Sequence, residues 1–272
     1  MKEISIDEIK QIQLDITVKI DEFCRKNGIE YFLDGGTGIG AARHKGYIPW
    51  DDDIDISMTR PNYERFIHSF GGYDKHLSIY APELEGNYYA LYANVCDNRT
   101  ILSEGVQGHL GQEIGVKVDI FPIDGTTDNY TCSVLRHKFL KLVGNVMSRK
   151  RRDMSMTWRI NKWNYFTCLL VRTLFYFISY TTIQKFVLRI AKKYPFETSN
   201  YAYNVVSLVY NRPVHCRRET YEQYIDVSFE GHTLRTIKDY DTYLTEMFGN
   251  YMQLPPPEQR VGHHGFTAYW KD

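Results

Sequence analysis

Residues 31–60 read YFLDGGTGIGAARHKGYIPWDDDIDISMTR, and this stretch decides the fold that we expect. A glycine pair follows a short apolar run, and four aspartates interrupted only by Ile54 come further on. Asp53 and Asp55 alternate with Ile54 and Ile56 as residues alternate between the two faces of a β-strand. The pattern predicts a strand with both carboxylates on one face, roughly 6.5–7 Å apart along the backbone.

Two carboxylates at this separation repel each other, and a bound divalent cation is the usual compensation. The alternative is a solvated acidic turn, which is what most runs of charge are. A solvated turn requires neither isoleucines in register with the aspartates nor a glycine pair at the end of an upstream apolar run. The sequence therefore favours a metal site.

Gly35, Gly36 and Thr37 are candidates for binding a phosphate. Glycines let the backbone approach a ligand closely, the helix expected after them supplies amide donors, and Thr37 adds a hydroxyl. A lone glycine pair is more typical of a tight turn, but the aspartates downstream favour the phosphate interpretation. Arg43 and Lys45, near the end of that helix, either bind phosphate or favour the helix C-terminus electrostatically.

The order of glycine pair, short helix and Asp-apolar-Asp is similar to the signature of the nucleotidyltransferase superfamily. Within it, residues 34–56, DGGTGIGAARHKGYIPWDDDIDI, closely resemble the LicD family, which is related to fukutin. The resemblance returns at VDIFPIDG, residues 118–125, and at FGNYMQLPPPEQRVGHHGFTAYW, residues 248–270. One departure is Gly38-Ile39, where the family usually has two leucine-like residues, and we expect looser packing of the helix there.

The resemblance implies an α/β (α+β) fold of the polymerase-beta type, with a mixed sheet flanked by helices. It also implies a third carboxylate on a neighbouring strand, for which Asp119 in the run VKVDIFPI is the best candidate. Pro122 requires that strand to end or to lie at an edge. Asp124 is the competitor, although Asp124-Gly125 is more typical of a turn.

LicD proteins move phosphocholine from CDP-choline to cell-surface glycans such as teichoic acid, lipopolysaccharide or capsule, or to lipid-linked precursors. The resemblance thus implies in-line transfer with CMP as leaving group. Asp53, Asp55 and Asp119 would be the catalytic residues and would hold two Mg²⁺ ions, with Mn²⁺ as an alternative. His263 and His264 match the terminal motif and would contact the nucleotide or phosphate.

Several alternatives remain open at this point. The donor could instead be CDP-glycerol or CDP-ribitol; for choline, a tyrosine cage including Tyr88 or Tyr92 would suit the trimethylammonium group. A nucleotidyltransferase acting on RNA or a small molecule is a second alternative. A non-catalytic membrane- or glycan-binding protein on the same fold is a third.

The composition restricts the class of protein. The chain has 272 residues, and Lys plus Arg equals Asp plus Glu at 33 each, so no global field attracts nucleic acid. Five scattered cysteines without a Cys-x-x-Cys pair predict reduced thiols. The polar, acidic start MKEISIDEIK is unlike a signal peptide, and charged residues interrupt the most apolar run, 165–190. We expect a cytoplasmic protein.

A change of composition near residue 129 predicts two regions: a catalytic core, residues 1–128, and a mainly helical region, residues 129–272, that completes the active site. Residues 136–162 hold nine basic residues and a single acid, Asp153, and an aromatic apolar run follows. This pattern predicts either peripheral docking of residues 136–190 on an anionic membrane or a solvated basic face beside core helices. The same basic patch could bind a phosphorylated acceptor.

Local signals predict the remaining elements. Ser5 and Glu8 have capping-box spacing before a helix that ends at Asn27-Gly28. We further expect strands over 29–34, 77–80 and 88–95, a helix from Pro61 to Phe70 and a glycine-containing loop over 105–115. A hairpin around Glu230-Gly231 is expected over 227–236, and then a helix over 239–248 that the prolines at 255–257 end.

Overall fold

The computed structural model describes residues 1–84, 88–103, 113–208, 213–262 and 266–271. Its strands are β1 (Lys2–Ile4), β2 (Phe32–Leu33), β3 (Asp55–Thr59), β4 (Leu77–Tyr80), β5 (Ala93–Asp97), β6 (Thr100–Ser103), β7 (Lys117–Thr126), β8 (Tyr201–Tyr203), β9 (Cys216–Arg217), β10 (Tyr224–Phe229), β11 (His232–Ile237) and β12 (Thr267–Trp270). Its α-helices are α1 (Ile6–Asn27), α2 (Gly35–Ile39), α3 (Arg60–Ser69), α4 (Tyr130–Arg151), α5 (Met154–Ile160), α6 (Lys162–Leu174), α7 (Tyr180–Ala191) and α8 (Tyr240–Phe248).

Helix α1 forms where its capping signals predict it. The Ser5 hydroxyl accepts a hydrogen bond from the Glu8 amide, and the Glu8 carboxylate accepts one from the Ser5 amide. Gly28 ends the helix in the left-handed conformation, at φ 60°. The buried face of α1 carries Ile9, Ile16 and Ile20, which join the main hydrophobic core.

The main sheet has the order β2-β3-β7-β5-β4, and β8 pairs with the last three residues of β7 and with β9. Strands β3 and β7 are parallel, whereas the other pairs are antiparallel. This mixed sheet with flanking helices is the α+β fold that the sequence predicted. Strand β7 lies in its centre, and the residues immediately before β3 and early in β7 meet there.

Pro122 does not end strand β7, which continues to Thr126. Strand β3 pairs with residues 119–123 of β7, whereas β5 pairs with β7 only as far as Ile120 and β8 pairs with it only from Asp124 onward. Pro122 therefore lies where the β5 side of β7 is locally unpaired, which satisfies the edge condition. The predicted turn at Asp124-Gly125 is wrong, because both residues belong to the strand and pair with β8.

Other boundaries differ from the predictions because tertiary pairing decides them. The strand expected over 29–34 is reduced to β2, and the strand expected over 88–95 is displaced to β5. Helix α8 ends at Gly249, with φ 71°, six residues before the first of the three prolines. The hairpin is confirmed: β10 and β11 pair antiparallel around Glu230 and Gly231, both with positive φ. Most of the loop expected over 105–115 lies outside the described residues.

The second half of the chain contributes to the same cores as the first half. Strand β12 lies between β1 and β6, and the core around the main sheet includes Phe229 and Ala268 together with Ile56 and Val118. Helices α4 and α7 pack together and form a second core with Phe121 of β7. No helix in the part of the chain that the structure describes is both long and apolar enough to cross a membrane.

The cysteines and Gly38 are two further positions for which the sequence made a prediction. None of the five cysteines forms a disulfide, and four of them are buried. Gly38 lies close to the end of β2, where an added Cβ would come 3.0 Å from the Leu33 carbonyl oxygen and 3.4 Å from the Leu244 side chain. Helix α2 is therefore closely packed at Gly38, and the expectation of looser packing there is wrong.

Candidate active site

Four polar residues lie side by side across four neighbouring strands of the main sheet. Asp55 of β3 is in register with Asp119 of β7, and Asp119 is in register with Asn94 of β5. On the other side, the Asp34 amide at the end of β2 donates to the Asp55 carbonyl over 3.0 Å. We call Asp34, Asp55, Asp119 and Asn94 the polar row. Residues in register on neighbouring strands project from the same face, so these four side chains share one face of the sheet.

The Asp34 carboxylate accepts three hydrogen bonds. It caps helix α2 by accepting from the Gly35 amide over 2.7 Å, and it also accepts from the hydroxyls of Ser57 and Tyr243. Burial raises the pKa of Asp34, and these three donors act against that rise because they stabilise the charged form. The side chain thus ties α2, β3 and α8 together.

Asp55 lies among several other carboxylates. Burial raises its pKa well above the usual range, and the negative charges of Asp53, Asp119, Asp34 and Asp51 raise it further. Its backbone amide donates to the Thr37 hydroxyl oxygen over 2.9 Å, which fixes the start of β3 against α2. Asp55 is therefore surrounded by the negative charges of four other aspartates.

Asp119 is oriented by residues of two strands. The Asn94 amide donates to Asp119 Oδ1, and the Lys117 ammonium lies 3.2 Å from the same oxygen. The side-chain oxygen of Asn94 (Oδ1) in turn accepts hydrogen bonds from the hydroxyls of Tyr88 and Tyr89. Because Tyr88 and Asn94 are both fully buried, this chain of hydrogen bonds fixes the position of the carboxylate.

The competing carboxylate, Asp124, has a different environment. Its two oxygens accept from the Arg60 guanidinium, each over 2.7 Å, in a buried bidentate pair that joins β7 to α3. Arg60 also lies 3.2 Å from Glu83. Asp124 lies five residues further along β7 than Asp119 and is engaged in this structural pair, so Asp119 is the β7 carboxylate beside Asp55.

Asp53 lies just before strand β3, so the prediction that Asp53 and Asp55 share one strand is wrong. The strand begins at Asp55 because pairing with β7 begins there. Burial still alternates: Ile54 and Ile56 are buried while Asp53 and Asp55 are partly exposed. Among the described residues, Asp51, Asp52 and Asp53 are the group that could hold a metal ion, because one carboxylate oxygen of each lies within 4.8 Å of the others. Asp55 and Asp119 are not part of that group.

The glycine pair packs closely against the acidic segment. Gly35 has φ 54°, a left-handed conformation that glycine adopts readily. A Cβ on Gly36 would come 2.6 Å from a carboxylate oxygen of Asp51, so only glycine fits there without a shift. The Gly35 amide is already used by Asp34, and the Thr37 hydroxyl oxygen accepts from Asp55. Their predicted contact with phosphate stays a prediction.

The two predicted basic residues have different surroundings. The Arg43 guanidinium donates to the backbone carbonyls of Tyr251 over 2.6 Å and of Gln253 over 3.3 Å, and so holds the segment after α8. Lys45, with φ 61°, lines a cavity beside hairpin β10–β11 that none of the polar row lines. The structure therefore places neither side chain on the polar row. His263 and His264 lie outside the described residues.

Two members of the polar row, Asp34 and Asp55, line a narrow cleft that is closed by the second half of the chain. Asp34, Gly35 and Asp55 form one wall, and Tyr243 and Met247 of α8 contribute to the other. A separate cavity of about 290 Å³ lies between residues 89–92, α4 and α7, and Tyr92, Lys141 and Arg151 line it. The suggestion that Tyr88 forms a choline cage is wrong, because its ring is fully buried.

Sequence reasoning missed most of the supporting residues. Asp34, directly before the glycine pair, could have been found as the N-cap of the following helix. Ser57 could have been found from its period-two spacing with Asp55. Asn94 and Tyr243 carry no local signal, because their roles come from partners that are 25 and 209 residues away.

Comparisons with known proteins agree with this geometry. The family model for the LicD/FKTN/FKRP nucleotidyltransferase domain matches residues 28–141, which contain the polar row. The chain is 30% identical over 275 aligned residues to the lipopolysaccharide cholinephosphotransferase LicD of Haemophilus influenzae, and the match covers 99% of each protein. A 31-residue stretch is 52% identical to the human ribitol 5-phosphate transferase FKRP, covering 11% of this chain and 6% of that protein. The chain belongs to the LicD family, whose members are phosphotransferases.

Proposed function

We propose that the chain transfers phosphocholine from CDP-choline to a hydroxyl of a cell-surface glycan or of its lipid-linked precursor, and releases CMP. The observation that carries this proposal is the likeness, over 99% of both chains, to a lipopolysaccharide cholinephosphotransferase. The adjacent carboxylates of Asp55 and Asp119 support it, because phosphoryl transfer depends on positioned groups that stabilise charge.

We further propose that Asp53, Asp55 and Asp119 hold two Mg²⁺ ions. Carboxylate oxygens are the ligands that Mg²⁺ prefers. Asp55 and Asp119 are in register on neighbouring strands, and burial together with the surrounding carboxylates raises the pKa of Asp55. A divalent cation would relieve this excess of negative charge, so Asp55 and Asp119 fit such a site, while Asp53 lies in a group with Asp51 and Asp52 just before β3. Bound Mg²⁺ would neutralise the diphosphate and lower the pKa of the acceptor hydroxyl.

In the proposed reaction, the acceptor oxygen bonds to the phosphorus that bears choline, and the bond from that phosphorus to the CMP oxygen breaks. Asp119 takes the proton of the acceptor hydroxyl, or else it would bind the Mg²⁺ ion nearer to that hydroxyl. Asn94 and Lys117 keep the Asp119 carboxylate in place, since both contact Oδ1. Tyr243 of helix α8 donates a hydrogen bond to Asp34 and lines the same cleft.

A second donor class has its own support. The relative FKRP transfers ribitol 5-phosphate, so CDP-ribitol or CDP-glycerol is the alternative donor. The cavity that contains Tyr92 is also lined by Lys141 and Arg151, and two cations there suit an anionic group better than a trimethylammonium group. We therefore place no choline cage at Tyr92.

CMP release tests the proposal directly. The chain is incubated with CDP-choline, CDP-ethanolamine, CDP-glycerol or CDP-ribitol and a crude cell-envelope glycan extract, with Mg²⁺ or with EDTA. We expect Mg²⁺-dependent release from CDP-choline and none with EDTA. Release from CDP-ribitol alone would replace the donor and keep the chemistry, whereas equal release in EDTA would contradict the metal proposal.

A further inference from the structure

Exposed apolar side chains are concentrated on α5, α6 and the segment after them. Eleven large apolar side chains between residues 156 and 178 are exposed: Met156, Trp158, Ile160, Trp163, Phe166, Leu169, Leu170, Leu174, Tyr176, Phe177 and Ile178. We call these eleven residues the α5–α6 surface. Phe177 is 96% exposed and Trp163 is 75% exposed. Such a concentration of exposed apolar side chains marks an interaction surface.

Helix α6 has two distinct faces. Cys168 is fully buried, and Arg172, one turn later, donates to the backbone carbonyls of Lys150 and Arg152, so this face holds the helix against the end of α4. Trp163, Phe166, Leu170 and Leu174 recur at helical spacing on the opposite face, which points away from the protein. The exposed apolar face is therefore not needed to attach α6 to the fold.

Aromatic contacts join the faces of α5 and α6. The Trp158 ring lies 5.0 Å from the Tyr165 ring and 6.2 Å from the Phe166 ring, measured between centroids. The two short helices consequently present one surface with Trp158 at their junction, and that surface continues at Tyr176 and Phe177.

Charge distinguishes between possible partners for this surface. Residues 136–190 contain twelve basic residues and one acidic residue, in a chain whose net charge is zero. Arg159 and Lys162 are exposed beside the tryptophans, and the Lys162 ammonium lies 5.3 Å from the Trp158 ring centroid. Tryptophan, tyrosine and basic residues around an apolar face are typical of helices that lie in the interface of an anionic bilayer.

We propose that the α5–α6 surface binds an anionic lipid bilayer, with α5 and α6 lying in the plane of the headgroups. Trp163, Phe166, Leu170, Leu174 and Phe177 enter the boundary between headgroups and acyl chains, while Arg159 and Lys162 contact lipid phosphates. This attachment is peripheral. It is independent of the donor and of the chemistry proposed above.

Vesicle sedimentation tests this surface. The wild-type chain is mixed with phosphatidylcholine vesicles and with vesicles containing about one-third phosphatidylglycerol. We expect strong binding to the anionic vesicles only. The double variant Trp163→Asn/Phe177→Asn should bind about tenfold more weakly or worse, because it removes two large apolar side chains from the interface. The control Ile6→Asn/Leu254→Asn removes two exposed apolar residues elsewhere and should bind like the wild type.

A charge variant and a fluorescence measurement separate the two contributions. Arg159→Gln/Lys162→Gln should weaken binding to anionic vesicles by roughly fivefold for each residue. Brominated lipids should quench the tryptophan fluorescence of the wild type, and Trp163→Phe should reduce this quenching while Trp270→Phe should not. The fluorescence experiment does not depend on the folding of the double variant.

Several results would overturn the proposal. Absence of wild-type binding to anionic vesicles would do so, as would equal binding by Trp163→Asn/Phe177→Asn. Sedimentation velocity tests whether the α5–α6 surface instead binds a second copy of the chain. A wild-type dimer that the double variant converts to a monomer, with no binding to vesicles, would assign the surface to self-association instead.

Discussion

Asp55 lies in the polar row with Asp34 on one side and Asp119 on the other, and this crowding gives its substitution an unusual signature. We expect Asp55→Asn to reduce the rate of Mg²⁺-dependent CMP release by about 10³-fold, because the proposed Mg²⁺ loses one of its ligands. The melting temperature should equal or exceed that of the wild type, because the pKa of Asp55 is raised and its ionised form opposes folding at neutral pH.

Steady-state release assays and thermal unfolding of the same preparations check this pair of expectations. Asp7→Asn, an exposed carboxylate in the first turn of α1, is the matched control and should change neither quantity much. A large loss of stability in Asp55→Asn would contradict the proposed charge crowding, and full activity would remove Asp55 from the catalytic set.

Asn94 is a positioning residue, because it acts on Asp119 and not on the substrate. We expect Asn94→Ala to lower CMP release by about 10- to 100-fold and to raise the Mg²⁺ concentration needed for half-maximal activity, as loss of a partner behind a metal ligand typically does. Metal titration of the activity measures this shift. Asn62→Ala removes a hydrogen bond to Thr59 near the far end of β3 and should leave the Mg²⁺ dependence unchanged.

At the scale of elements, Tyr243 joins helix α8 to the start of α2 through Asp34. We expect Tyr243→Phe to reduce the free energy of unfolding by about 1–3 kcal/mol, because a buried carboxylate loses a donor. The donor stabilises ionised Asp34, so its loss raises the pKa of Asp34 further. The cost should therefore be full above that pKa and should shrink as the pH falls through it and Asp34 becomes protonated.

Urea unfolding of wild type and Tyr243→Phe at several pH values measures this difference. Tyr240→Phe, on the same helix, is the control, and its effect on stability should not vary with pH in this way. A cost for Tyr243→Phe that stays constant across the titration of Asp34 would show that the hydroxyl does not act through that carboxylate.

The elements that could be predicted from sequence are those with local causes. The Ser5 capping box and Gly28 define α1, and Glu230-Gly231 defines the hairpin, because the determining contacts are within a few residues. Asp53 was placed in a strand and Gly125 in a turn by equally local rules. Both predictions failed because pairing with β7 and β8 decides those positions.

Half of the polar row was predicted from the sequence. Asp55 and Asp119 follow from the family pattern, and the register of β3 with β7 brings them together. The hydrogen-bond donors to the site carboxylates were not predictable, since Asn94 contacts Asp119 and Tyr243 contacts Asp34 only in the folded chain. A polar residue in an unremarkable strand or helix gives no signal of such a role.

At the scale of the whole molecule, the two predicted regions are interleaved. Strand β8 pairs with the end of β7, and β12 fills the space between β1 and β6. Helix α8 supplies Leu244 and Tyr243 to a core that also contains Phe32 and Ile123. Removal of residues 129–272 would therefore leave the end of β7 without β8, leave β1 and β6 without β12 between them, and expose apolar residues of the remaining half.

We accordingly expect the fragment 1–128 not to fold cooperatively, although it contains most of the family-model match and all of the polar row. Its urea unfolding should lack a sigmoidal transition and its amide resonances should be poorly dispersed, whereas the full chain should show a single cooperative transition. Co-expression with residues 129–272 should restore that transition if the halves reassemble. A soluble fragment 1–128 with dispersed resonances and its own unfolding midpoint would instead establish it as an independent domain, and the second half would then be an addition to a complete catalytic core.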